Sequence, residues 1–206
     1  YLLAGLLGLA GIAAARALKL SRPPAPIQTL DDLPIDPNPV AEHLSGLIQC
    51  QTISGAEGKQ VEEDNFRQLH SRLENYYPRV KACLKKENIN HLSLLYRWDG
   101  IQLELPALLL AAHQDVVPAA NPQDWIQPPF EGTIANGFVW GRGALDIKNQ
   151  LVTTMEAVEY LLSIGYKPKR TIFLAYGHDE ESGGMQGANL IVEALQQRGI
   201  PLGAVI

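Results

Sequence analysis

Two short runs, ALLLAA at residues 107–112 and TIFLAY at 171–176, offer almost no polar side chain to water on either face. A segment of that length and character is a strand covered above and below, and it needs helices on both sides of its sheet. Helical periodicity supplies them. Phe66, Leu69, Leu73 and Tyr76 recur at intervals of three and four, so residues 58–78 read as an amphipathic helix. Leu151, Met155, Val158 and Leu162 mark a second, with Gly165 placed to end it. Ala188, Ile191, Val192 and Leu195 mark a third, closed by Gly199. HLSLLYR and the terminal LGAVI read as further strands. Strands alternating with helices predict an α/β fold on a largely parallel sheet.

Ahead of this pattern the chain changes character twice. Residues 1–20 open with fifteen apolar residues before Arg16 and Lys19, fewer than the ~20 that span a bilayer. A helix packed in a core is the weaker reading, because an all-round apolar helix before a proline-rich stretch argues against it. Two roles are favoured: a membrane anchor, or a signal segment with Ala15 and Ala17 at a small-residue cleavage site. Either takes the protein out of the cytosol, tethered to a membrane or secreted. Residues 21–39 carry six prolines and no hydrophobic period, which reads as a spacer. The catalytic-type domain is expected from Val40 to Ile206. Because the chain starts at Tyr1 and stops inside an apolar run, it is read as a piece of a longer protein. A net charge of -5 without a basic cluster argues against nucleic acid as a partner. Cys50 and Cys83 form neither a disulfide framework nor a zinc-ligand spacing.

In open α/β sheets, chemistry gathers beyond the carboxyl ends of the strands. ALLLAA runs into His113-Gln114-Asp115, and TIFLAY into GHDEESGG, where His178, Asp179, Glu180 and Glu181 stand side by side. Asp146 lies in GRGALDIKN, at the start of the helix joining those strands. Each is unremarkable alone: a histidine after a strand is often just hydrogen-bonded, an Asp before a helix is usually a cap, and an acidic run is usually a solvated turn. Together they offer one imidazole and several carboxylates, a donor set suited to zinc or related divalent ions in a catalytic site. His113 and Asp115 are two apart on an extended chain, so the carboxylate can support the imidazole. His43 and His70 are expected at the surface, like His91, and His178 is expected to pack or support rather than ligate. Gly183 and Gly184 allow a tight turn. WIQPPFEG, residues 125–132, reads as a rigid loop.

AAHQDVVPA, WIQPPFEG, VWGRGALDIKNQ and GHDEESGG, in this order and spacing, resemble a family of two-zinc exopeptidases and aminoacylases. The likeness is strongest to its carboxypeptidase S and N-fatty-acyl-amino-acid synthase/hydrolase branch. The resemblance spans residue 40 to the end of the chain and implies a mixed sheet sandwiched by helices. It implies an enzyme with two Zn2+, with Co2+ or Mn2+ as substitutes, that hydrolyses an amide bond in small peptides or N-acyl amino acids. His113 would bind one zinc, Asp146 bridge both and Glu181 bind the other, with Asp115 orienting His113. Glu180 would be the general base toward a zinc-bound water. The peptide after Asp146 would be cis, although Ile147 replaces a residue that is often polar there. A further Asp, a distant His and a lid domain would lie past Ile206, leaving these 206 residues inactive alone. The competing expectation is a non-catalytic, membrane-tethered binding module of the same fold. A deaminase-type site would need a closer histidine cluster.

Overall fold

A computed structural model describes residues 2–20, 34–54 and 61–206. The chain divides into two units, Tyr1–Ile35 and Asp36–Ile206. The first contains helix α1 (Leu2–Leu20), on which Leu9 and Ile12 are exposed. Among the described residues no helix is long and apolar enough to cross a membrane. Gly5, Gly8 and Gly11, with Arg16 and Lys19, dilute the apolar character of α1. The anchor expected of residues 1–20 therefore finds no support there. Most of the expected spacer, 21–33, lies outside the described residues.

The second unit opens with α2 (Pro37–Ile48), which takes over the last residues assigned to the spacer. The reason is local. Asp36 caps the helix by accepting from Asn38 N at 2.9 Å, and Pro37 occupies a first-turn position where a missing N–H costs nothing. Helices α3 (Glu63–Tyr76) and α4 (Pro78–Cys83) follow; α3 answers the helix expected over 58–78, of which 58–60 lie outside the described residues, and Pro78 opens α4. Strands β1 (Lys85–Ile89), β2 (Ser93–Trp98) and β3 (Ala107–His113) come next. A two-stranded ribbon joins β4 (Ile134–Ala135) to β5 (Phe138–Val139). Its turn, Asn136-Gly137, has φ of 55° and 78°, the left-handed pair that a two-residue hairpin requires. Helix α5 (Lys148–Ser163), β6 (Ile172–Gly177), α6 (Ala188–Gln197) and β7 (Leu202–Val205) complete the unit. α5 and α6 both end where the sequence places their glycines. Tyr166 N donates to Leu161 O at 2.9 Å and Ile200 N to Leu195 O at 3.1 Å, the outer bonds of two Schellman closures.

The main sheet has the order β1-β2-β6-β3-β7. Its β6–β3 and β3–β7 pairs are parallel, while β1–β2 and β2–β6 are antiparallel. Four of the five strands thus run one way and only β2 opposes them, a mixed, mostly parallel α/β sheet. Leu94, Tyr96, Leu174 and Tyr176 pack on one face against Leu47, Leu69, Leu73, Leu151 and Met155. Leu95, Leu109, Phe173 and Ala175 pack on the other against Ile191 and Leu195 of α6. Each fully buried leucine contributes about 1.5–3 kcal/mol, so both layers are needed. The parallel register sets His113 opposite Gly177. This brings the ends of β3 and β6, and the polar residues after each, to one edge of the sheet.

Candidate metal centre

His113 is the last residue of β3 and is buried. Its Nδ1 donates to the Asp115 carbonyl at 2.9 Å and lies 3.3 Å from Asp115 Oδ1. A carbonyl only accepts, so the proton sits on Nδ1 and Nε2 is left to face the site. Nε2 lies 3.2 Å from Asp146 Oδ1 and 3.7 Å from Glu180 Oε2. Burial alone would lower the pKa of this imidazole. The Asp115 carboxylate and carbonyl, with Asp146, outweigh it and hold the value at about 9.

Asp115 is fully buried, and its carboxylate is saturated with donors. Ser54 Oγ donates to Oδ2, Glu181 N to Oδ2 at 3.1 Å and Glu180 N to Oδ1 at 3.1 Å. Burial would raise its pKa, but the contacts with His113, Ser54 and the Glu181 N–H hold it below the usual carboxylate range. The turn it grips is a short 3-10 segment, Glu180–Ser182. Gly183 and Gly184 close it at φ of 103° and 70°, where a side chain would be strained. Gly183 N donates to Glu180 O and Gly184 N to Asp179 O, each at 2.8 Å. Adjacent carboxylates therefore leave the turn differently: Glu180 is exposed and Glu181 half-buried.

Asp146 sits in the loop before α5, largely exposed at 78 % of its side chain. The helix takes Ile147 as its N-cap without a side-chain bond, so Asp146 does not serve as a cap. The Asp146–Ile147 peptide is cis, as the resemblance implies. Donor atoms of His113, Glu180 and Glu181 all lie within 4.8 Å of one another, and Asp146 closes on His113 from the side. Burial raises the pKa of Glu181; His113 opposes this, and Asp146, Asp115 and Glu180 reinforce it. Lys148, only two residues from Asp146, forms no ion pair with these acids among the described residues. Its Nζ turns away to donate to Leu47 O at 2.9 Å and Cys50 O at 2.8 Å. An imidazole whose Nε2 faces three crowded carboxylates fits a divalent cation.

The other histidines divide. His91 is exposed, as expected. His178 shares a 2.7 Å hydrogen bond with Ser93 Oγ and meets Phe66 edge-on, a packing role. His70 is buried and His43 half-buried, where both are expected at the surface. His70 lies on the same α3 face as Phe66 and Leu73 and donates to Gln114 Oε1 at 2.7 Å. His43 donates to Glu156 at 2.5 Å and stacks on Tyr76. Periodicity placed both on helices, but their partners, buried Gln114 and half-buried Glu156, come from distant segments. Gln114 continues the network into Leu92 O and Tyr176 O. Three residues escaped the sequence reading: Gln114, Ser54 and Lys148. Gln114 lies between two residues it did single out, yet only the fold reveals its partners. Cys50 is buried and Cys83 exposed. In the 125–132 loop, Pro129 O accepts from Arg142 N at 2.7 Å, tying that loop to the one bearing Asp146.

Residues 109–206 match the model of peptidase family M20/M25/M40. Carboxypeptidase S of Saccharomyces cerevisiae is 40% identical over 170 residues, covering 78% of this chain and 30% of that protein. The N-fatty-acyl-amino acid synthase/hydrolase of Xenopus tropicalis is 37% identical over 172 residues, covering 81% and 33%. The chain thus spans about a third of the length of these curated relatives. Its fold is similar to that of human carnosine dipeptidase 1, with a TM-score of 0.65 at 15% identity over 81% of this chain and 37% of that one. An M20 family metallo-carboxypeptidase from Sulfolobus solfataricus gives 0.63 at 21% identity, over 81% and 36%. At these identities the structural likeness speaks for the fold alone.

Proposed function

From a chain that carries a peptidase M20 domain over residues 109–206, we propose that the intact protein hydrolyses an amide bond in small peptides or N-acyl amino acids. The observation that supports this reading most is the convergence of His113, Glu180 and Glu181 within 4.8 Å, with Asp146 3.2 Å from His113 Nε2. In this reading His113, Asp146 and Glu181 hold the metal, a zinc pair for which cobalt or manganese can substitute. Bound zinc supplies Lewis acidity, which makes water a better nucleophile and a carbonyl a better electrophile.

The chain's own residues do the rest. Asp115 fixes the Nδ1–H tautomer of His113, so that Nε2 keeps its lone pair for the site. Glu180, exposed and at the mouth, removes a proton from the attacking water as the new C–O bond forms. It then delivers that proton to the nitrogen as the C–N bond breaks. The products are a carboxylic acid and an amine. A screen of dipeptides against N-acyl amino acids on the full-length protein tests the proposal, and release of the free amine is expected from one of these classes. Tight zinc binding without turnover of either would instead fit a non-catalytic binding module.

Residues 1–20 serve in this reading as a signal-type segment, since an apolar stretch of ~7–15 residues suffices for that role. Deleting them should leave the protein in the cytosolic fraction, whereas the intact form leaves it. Equal cytosolic recovery of both forms would remove the targeting role.

A further inference from the structure

One deeply buried polar contact in the site comes from a residue without charge. Ile53 pairs with Val116 in an isolated bridge, and Ser54 N donates to Val116 O at 3.1 Å. That bridge delivers Ser54 beneath Asp115, 61 positions away in sequence, where its hydroxyl donates to Oδ2. Ser54 is 2% exposed and Asp115 0%. Oδ2 also accepts from Glu181 N, Oδ1 accepts from Glu180 N, and His113 Nδ1 lies beside Oδ1. One carboxylate thus gathers donors from three separate stretches of chain: the 52–54 segment, the end of β3 and the acidic turn.

We propose that Ser54 is a positioning residue of the metal centre, acting through Asp115 on His113, Glu180 and Glu181 together. The inference rests on the reading of the site given above; Ser54 itself meets neither ion nor substrate. Its basis is torsional. The terminal torsion of an aspartate is broad and two-fold, so the carboxylate plane needs a fixed partner if its acceptor directions are to stay put. An ionised carboxylate offers about four acceptor directions, and the donors around Asp115 occupy them from different sides. Ser54 has its own backbone pinned, since its N–H donates to Val116 O. Without the hydroxyl, rotation of Asp115 loosens the imidazole and the turn at once, although the two are separate in sequence.

The test compares Ser54→Ala and Ser54→Thr with the wild type in the full-length protein. Zinc affinity is measured by competition with a chromophoric chelator, and amide hydrogen exchange is followed at Glu180 and Glu181. Ser54→Ala should weaken zinc binding by about 10–100-fold, accelerate exchange of those two amides, and lower kcat with KM little changed. Ser54→Thr keeps a hydroxyl and should restore all three. Wild-type zinc affinity and exchange in the alanine variant would overturn the proposal, as would a threonine variant as impaired as the alanine one. If the wild type itself binds no zinc, the metal reading fails, yet exchange still decides Ser54. Faster exchange at the two amides in the alanine variant alone supports it, and unchanged exchange overturns it.

Discussion

Exhaustive chelation should abolish amide hydrolysis by the intact protein, and added zinc, cobalt or manganese should restore it. Crowded acids are the cause. Asp115, Asp146, Glu180 and Glu181 surround a single imidazole, and Lys148 is directed elsewhere. Like charges this close are costly without a cation. With no metal, a proton on His113 takes that place; Asp115, and then Asp146, hold its pKa at about 9 despite burial. In the proposed site metal and proton would compete for the same Nε2, and this gives the experiment a second readout. Below about pH 9 the protonated form predominates, so zinc affinity should fall roughly tenfold for each unit of decreasing pH, with proton release on loading. Isothermal titration in buffers of different ionisation enthalpy measures that release. Activity that survives complete metal removal would sink the assignment, and pH-independent zinc binding would remove His113 from the ligand set.

Replacing Glu180 by glutamine should lower kcat of the intact enzyme by about 10²-fold or more and leave metal content nearly unchanged. Glu181→Gln should do the reverse, with metal occupancy falling first and activity with it. Distance does not separate the two residues, since both carboxylates reach within 4.8 Å of His113. Accessibility does. A general base must meet water and then the leaving nitrogen, and Glu180 is the exposed member of the pair. A ligand benefits from a fixed, partly desolvated position, and Glu181 is half-buried with a raised pKa that burial heads. Glutamine preserves the shape at either site but takes no proton and carries no charge. Metal analysis beside steady-state kinetics distinguishes the outcomes. If Glu180→Gln loses metal while Glu181→Gln keeps it, the roles of base and ligand are interchanged.

Much of the scaffold was legible before any coordinates. β3, β6, α5 and α6 are encoded by apolar runs and by spacings of three and four, and such signals act within a few residues of chain. His113, Asp146, Glu180 and Glu181 were legible for the same reason: each follows a strand or precedes a helix whose position is locally encoded. β1 was not, because KKENI is a solvated edge strand without an apolar face. Nor was the strand order, which sets β6 between β2 and β3.

What the tertiary structure alone decided are the partners of buried polar groups. His70 reaches Gln114 across 44 residues, Ser54 reaches Asp115 across 61, and Lys148 reaches Cys50 O across 98. A histidine, a serine and a lysine look the same in sequence whether they meet water or a carbonyl. Only the fold removes water and leaves one partner within reach, because a buried polar group must be paired. The residues bearing the candidate chemistry were therefore written in local sequence. The groups that hold them in place were fixed by topology, since the hydrogen bonds that orient them join segments that meet only after the sheet and its two helical layers have formed.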